Sequence, residues 1–289
     1  MPELPEVETV RRGLQSLIVS KTITAEEHDT EKGFPNAAAD VQNFLIGATV
    51  TAIHRRAKVL LIELNNGYSL MIHLKMTGQL VYVGADTRFG AGHPNDSLVN
   101  ALPDRSTRVS LHFADDSTLY FNDQRKFGWV KLLPTIEIPN ISFMQKVGPE
   151  PLSADFTPTQ FAERFTRRKK TTIKAAILDQ SVVAGVGNIY ADESLWGAKI
   201  HPSRLVGSIT STEFEALYTD LREVMNLAIE KGGSSNHTYI NAEGKKGSYM
   251  DFARVFRREG LACPRCGATI EKLRVAGRGT HICPHCQTI

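Results

Sequence analysis

The sequence predicts an α+β chain, with a strand-rich first half opened by a helix and a helical second half closed by a metal-bearing hairpin. Three observations carry this. Short apolar, β-branched stretches recur between turn signals from residue 48 to 121. Helical periodicity takes over from about residue 158. All four cysteines lie near the C-terminus in two C-x-x-C pairs, Cys263/Cys266 and Cys283/Cys286.

The elements follow in order. Pro5 suits the first helical position, with Glu6 and Glu8 in the first turn and Val7, Val10, Leu14 and Leu17 as the apolar stripe. Strands are expected at 48–54 and 58–64. Asn65-Asn66-Gly67 then gives a turn before a strand at Tyr68–Leu74. Gln79–Val83, Thr107–Phe113 and Ser117–Phe121 continue the pattern, with Asp115-Asp116 at a further turn. Short strands so spaced suggest a sandwich or barrel. Residues 84–106, dense in Gly, Pro, Asn and Asp, read as a long exposed loop, and Pro134, Pro139, Pro149 and Pro151 mark a linker. Helices are expected near 158–166, 171–179, 188–196 and 211–231, the last opened by a Thr210-x-x-Glu213 capping box and ended by Gly232-Gly233.

Each C-x-x-C pair puts two thiolates on one turn, and two such turns facing each other make the tetrahedral sulfur set of a structural zinc. Disulfides are the rival reading. The acidic, proline-bearing N-terminus is no secretory leader, and a cytosolic setting disfavours disulfides. His281 and His285 are near enough to be alternative ligands, but four thiolates suffice. The net charge of +3 is unevenly spread. Residues 1–150 carry 15 Lys+Arg against 17 Asp+Glu, whereas residues 151–289 carry 19 against 14. Such asymmetry points to a polyanion engaged mainly by the second half. Its basic clusters are Arg164, Arg167, Arg168, Lys169, Lys170 and Lys174, then Lys245, Lys246, Arg254, Arg257 and Arg258. No apolar run is long enough to span a bilayer.

The N-terminus carries reactive chemistry. Removal of Met1 exposes Pro2 as a secondary amine with a pKa near 8, partly neutral at pH 7. Such an amine attacks an aldehyde-level carbon to give an iminium that cannot shed its charge by losing a proton, with Glu3 as the nearest proton carrier. Three internal segments add to this. Arg55-Arg56-Ala57-Lys58 places cations at a strand junction, where Lys58 can clamp a phosphate. Asp123-Gln124-Arg125-Lys126-Phe127-Gly128 alternates cations with an aromatic, so that Phe127 can wedge into a base stack while Arg125 fills a vacated site. Packing of Phe127 into the core is the commoner alternative. Gly185-Val186-Gly187-Asn188 leads into a helix and can bring backbone N–H groups to an anion.

PELPEVET at 2–9, HLKMTG at 73–78, DQRKFG at 123–128, VGNIYADE at 186–193 and GRGTHICPHCQ at 277–287 together resemble the bacterial formamidopyrimidine-DNA glycosylase family, in family order over nearly the whole chain. The resemblance implies a β-sandwich catalytic domain over 1–134, a linker over 135–151, a helix–two-turn–helix region with a lesion-capping loop over 152–255, and a zinc β-hairpin over 256–289. It implies a monomeric bifunctional glycosylase and lyase that removes 8-oxoguanine and formamidopyrimidines from double-stranded DNA. One structural Zn2+ is implied, as is a bacterial cytoplasmic, nucleoid-associated setting. By the same resemblance Pro2 is the nucleophile, Glu3 the proton shuttle, and Lys58, Asn188 and Arg278 phosphate ligands. Glu6, His73, Met76, Arg125, Lys126, Phe127, Lys174 and Glu193 complete the expected DNA site. Met76, Arg125 and Phe127 fill the space of the flipped base. Lys174 and the loop around 234–249 lie in the region that closes over the lesion, and Glu193 is a supporting carboxylate. Lys75 stands where many relatives carry glycine, Gln124 replaces a proline and Lys126 an arginine. Two rival readings are an oxidised-pyrimidine glycosylase of the same superfamily and a non-catalytic damage-binding protein. Leu4 and the Met76/Arg125/Phe127 trio disfavour the first, and the presence of Pro2, Glu3 and Lys58 disfavours the second.

Overall fold

Leu4–Ile18 forms helix α1, closed at its start by a capping box in which Glu3 and Glu6 exchange side-chain and backbone hydrogen bonds. It buries Leu4, Val7, Val10, Leu14 and Ile18 to 1% exposure or less, each contributing about 1.5–3 kcal/mol of apolar transfer. Ile18 rather than Leu17 takes the last deep position, and Leu17 is only partly buried. Gly13 is obligatory mid-helix, since a Cβ there would lie 2.0 Å from the Phe89 ring.

The computed structural model describes residues 1–234 and 248–289 and divides into two units, Met1–Gln145 with Lys231–Ser248, and Lys146–Glu230 with Tyr249–Ile289. Among the described residues the first holds nine strands: β1 Ile23–His28, β2 Val50–Arg56, β3 Val59–Leu64, β4 Tyr68–His73, β5 Gly78–Val83, β6 Arg88–Gly92, β7 Thr107–Phe113, β8 Thr118–Asp123 and β9 Trp129–Pro134. They form two antiparallel sheets, ordered β1-β7-β8-β5-β6 and β2-β3-β4-β9. Inner-face residues of both sheets, Leu60, Ile62, Leu70, Leu80, Leu111 and Phe121 among them, share one core with α1.

Residues 84–106 are not the long exposed loop expected. Arg88–Gly92 pairs along β5, and Phe89 and Ala91 enter the main core. Leu98 packs with Val81 and Tyr120 in a satellite cluster, and the Arg88 guanidinium holds the carbonyls of Ser97, Leu98 and Asn100. The density of glycine and proline masks a five-residue strand whose side-chain signal is one phenylalanine. β1 is also absent from the expected strands, because as an edge strand it buries only Ile23.

The second unit contains α2 Pro158–Phe165, α3 Ile173–Leu178, α4 Asn188–Gly197 and α5 Ser211–Glu230, then the hairpin β10 Glu271–Val275 and β11 Arg278–Ile282. Thr157 caps α2 through a capping box with Gln160. Thr210 and Glu213 reciprocate at the start of α5 at 3.2 and 2.8 Å. Trp196, Val255, Cys263, Ile270 and Cys283 form the small core beneath the hairpin. No helix among the described residues is long and apolar enough to cross a membrane.

Candidate active site and nucleic-acid interface

In the first unit the site begins at the entry to α1, where Pro2, Glu3 and Glu6 are all buried. Glu6 divides its carboxylate: Oε2 accepts from Glu3 N at 2.8 Å and Oε1 from Ser234 N at 2.9 Å. It therefore ties the start of the chain to the segment that returns after α5. Gly233, at φ +87°, brings its backbone against the Glu6 side chain. The rest of the 234–249 loop, with Lys245 and Lys246, lies outside the described residues apart from Ser234, Ser248 and Tyr249.

Lys58 sits with Ala57 in the two-residue turn joining β2 and β3, where Ala57 takes φ +54°. Arg55 fixes that turn, donating to Ala57 O at 2.9 Å and to Glu8 on α1 at 3.2 Å. The Arg11, Arg12 and Arg55 guanidiniums overcome the desolvation of Glu8 and hold its carboxyl below the usual range. Lys58 itself is buried. One step across the ladder, His73 is buried between Trp129 and Phe143, and its Nδ1 accepts from Lys75 N at 3.0 Å. Burial, then the charges of Lys75 and Lys58, push its pKa down to about 3. His73, expected among the DNA-site residues, is here a buried, neutral ring that orders the Lys75 turn.

That turn explains one departure noted above. Lys75 adopts φ +49°, a conformation that favours glycine. Facing it is the 123–128 loop, built around Asp123, which is fully buried. Its Oδ1 accepts from Thr77 Oγ1 and from Arg125 N (3.1 Å), and its Oδ2 from Phe127 N (2.8 Å) and Gly128 N (2.7 Å). Arg108 holds the Asp123 carbonyl from below at 2.7 Å. One carboxylate thus joins the Met76 turn to the Arg125–Phe127 turn. The motif is legible in the sequence, but its organiser is not. Met76 is half-buried, Arg125 and Lys126 are exposed, and Phe127 is 45% exposed, so Phe127 is not a core residue. The Arg125 guanidinium lies 4.8 Å from the Phe127 ring centre, and Lys126 pairs with Asp29 at 3.3 Å.

In the second unit Asn188 opens α4, its amide nitrogen donating to Gly279 O at 2.9 Å. Arg278 stands exposed at the tip of the hairpin, after a two-residue turn in which Ala276 and Gly277 take φ +50° and +76°. The base of the hairpin carries the cysteines. Their sulfurs all lie within 4.8 Å of one another, with separations of 3.4 Å for Cys266–Cys283, 3.5 Å for Cys266–Cys286 and 3.9 Å for Cys263–Cys286. Zn–S bonds of about 2.3 Å demand tetrahedral edges of about 3.8 Å, so the set fits one closed structural zinc. His281 is no alternative ligand: its ring faces Asp192 and Glu259 at 3.1 and 3.3 Å.

Two further expected site residues are buried. Lys174 has no exposed surface, and its ammonium bonds Asp192, Thr280 and Gly279 O. Glu193 is equally buried and accepts from Tyr249 Oη and from the backbone N–H groups of Arg254, Val255 and Phe256 at 2.8–2.9 Å. Both anchor the polypeptide. Several cations of the basic clusters are likewise engaged internally: Arg164 on the carbonyls of Ser181 and Val182, Arg168 on Asp179, and Arg254 on Asp220.

Residues 1–130 match the family model of the formamidopyrimidine-DNA glycosylase N-terminal domain, residues 147–239 that of its H2TH domain, and residues 260–289 a zinc finger found in FPG and IleRS. The chain belongs to the formamidopyrimidine-DNA glycosylase family. It is 40% identical over 284 residues to the formamidopyrimidine-DNA glycosylase of Lactiplantibacillus plantarum, covering 98% of each chain. With that of Desulforamulus reducens it shares 38% over 290 residues, covering 99% of each. Among solved structures, a Lactococcus lactis FPG mutant in complex with a Fapy-dG containing DNA superposes with TM-score 0.87 at 36% identity over 100% of each chain. A Lactococcus lactis Fpg bound to an abasic site containing DNA gives TM-score 0.87 at 36% identity, covering 99% of this chain and 100% of that one.

Proposed function

We propose that this enzyme excises oxidised purines from double-stranded DNA and cuts the strand through an iminium on Pro2, acting as a monomer in the bacterial cytoplasm on nucleoid DNA. The observation that supports the assignment of roles is the buried entry to α1, where Pro2 adjoins two carboxylates held in fixed orientation. Met1 acylates the Pro2 nitrogen in this chain, so its removal is the activating step. The amine then attacks C1′ of an extruded nucleotide, the C1′–base bond breaks, and the base leaves with a proton supplied through Glu3. Opening of the sugar ring gives the C1′ iminium, which acidifies the C2′ proton. Loss of that proton expels the 3′ phosphate, and a second elimination expels the 5′ phosphate. Water then hydrolyses the iminium and frees Pro2.

In this reading Lys58, Asn188 and Arg278 bind the backbone around the lesion. Glu6 keeps Glu3 and Ser234 in register. Met76, Arg125 and Phe127 occupy the gap in the stack, with Arg125 facing the orphan base and Lys126 adding charge beside it. The zinc supplies no chemistry beyond bracing the hairpin that carries Arg278. The test is a nicking assay on duplexes bearing 8-oxoguanine, thymine glycol or an abasic site. Pro2→Gly abolishes cleavage of all three, and Glu3→Gln loses base excision while retaining cleavage at the abasic site. Thymine glycol cut faster than 8-oxoguanine overturns the purine assignment.

A further inference from the structure

Asp192 and Lys174 form an ion pair with no exposed side-chain surface, at 2.5 Å, and no step of the reaction uses it. A buried pair of this kind stabilises little beyond what apolar residues of the same volume provide, because both charges have been stripped of water. Its value lies in what it fixes. Asp192 follows Asn188 by one turn of α4, so both side chains leave the same helix face. Each reaches β11: Asn188 bonds Gly279 O at 2.9 Å, and Asp192 Oδ2 accepts from His281 N at 3.0 Å and faces His281 Nδ1 at 3.1 Å. From α3, Lys174 adds bonds to Thr280 Oγ1 at 2.7 Å and Gly279 O at 3.3 Å. Three consecutive residues of β11 are thereby pinned, beginning one residue after Arg278. The zinc holds only the far end of the hairpin, through Cys283 and Cys286.

We propose that Lys174 and Asp192 are positioning residues that set the spacing between Asn188 and Arg278, so that the two grip the DNA backbone as one unit. The inference rests on the reading of Asn188 and Arg278 as phosphate ligands. Removing one charge alone orphans the other, so the test removes both with the volume-conserving pair Lys174→Met/Asp192→Leu. The full-length, zinc-loaded protein is measured for zinc content, thermal midpoint and affinity for a duplex carrying a tetrahydrofuran abasic analogue, alone and combined with Arg278→Ala. The expected double variant keeps one zinc and a midpoint within a few degrees, yet binds about tenfold more weakly. Arg278→Ala costs about tenfold in the native background and less than about twofold in the double variant, because the arginine is no longer held in place. A double variant that binds like the native protein, or an Arg278→Ala effect that is the same in both backgrounds, overturns the positioning role. Arg278→Ala and Asn188→Ala that both leave native binding unchanged instead overturn the phosphate reading beneath it.

Discussion

The 123–128 loop of the first unit and the zinc hairpin of the second hold a short turn in two different ways. Each turn carries an exposed arginine, Arg125 in one and Arg278 in the other. At residues 123–128 a single buried carboxylate organises the turn: Asp123 collects three backbone N–H groups and the Thr77 hydroxyl. The hairpin carries its arginine on a two-stranded ribbon, which is marginal alone in water. It is cross-linked at its base by four thiolates and pinned along its length by Asp192 and Lys174. The difference follows from support. A turn between strands of two packed sheets inherits rigidity from them, whereas a lone hairpin must be tied down residue by residue.

The largest expected effect breaks the second arrangement and spares the first. Zinc removal, or Cys283→Ser, abolishes nicking while the sandwich stays folded. The two tryptophans separate these outcomes, because Trp196 lies in the small core with Cys263 and Cys283 and Trp129 lies on β9. Emission from a Trp129→Phe protein shifts on chelation and that from a Trp196→Phe protein does not. Loss of both signals makes the zinc a staple of the whole chain.

Asp123→Ala attacks the 123–128 loop. It strips several donors of their buried acceptor and lowers stability by about 2–4 kcal/mol, measured by urea unfolding, with excision falling further than abasic-site cleavage. An unchanged urea midpoint contradicts the central role of that carboxylate.

His73 gives the next effect, and its sign is fixed by its depressed pKa. The folded ring titrates near 3 and the unfolded one near 6.5, so the unfolded state binds more protons in between. Stability is therefore complete above pH 6.5 and lost on acidification, by up to about 1.4 kcal/mol per pH unit. His73→Asn flattens that portion of the pH–stability curve, and an unaltered curve refutes the neutral-ring assignment. The smallest stability effect belongs to Phe127→Ala. This half-exposed ring leaves the unfolding free energy within about 0.5 kcal/mol, while single-turnover excision of 8-oxoguanine slows about tenfold. Equal loss of stability and rate makes it a packing residue.

Much of this is legible in the chain. The two C-x-x-C pairs give the zinc site, the Thr210/Glu213 box gives the start of α5, and strand positions follow from alternation. The remainder has no local signature. β1 is an edge strand of mostly polar residues, and β6 hides among glycines. Lys174 and Glu193 are expected in the site from the family resemblance, and sequence distance conceals that β11 residues and the 249–256 backbone enclose them. Asp123 is visible as the first letter of DQRKFG, yet its role depends on Thr77, which lies 46 positions away.

The most direct test of the account is borohydride trapping of the methionine-processed, zinc-loaded protein on a duplex with 8-oxoguanine opposite cytosine, followed by mapping of the cross-linked peptide. The account predicts a covalent adduct on Pro2. An adduct on Lys58 or another lysine, or no adduct from a protein with free Pro2, contradicts it.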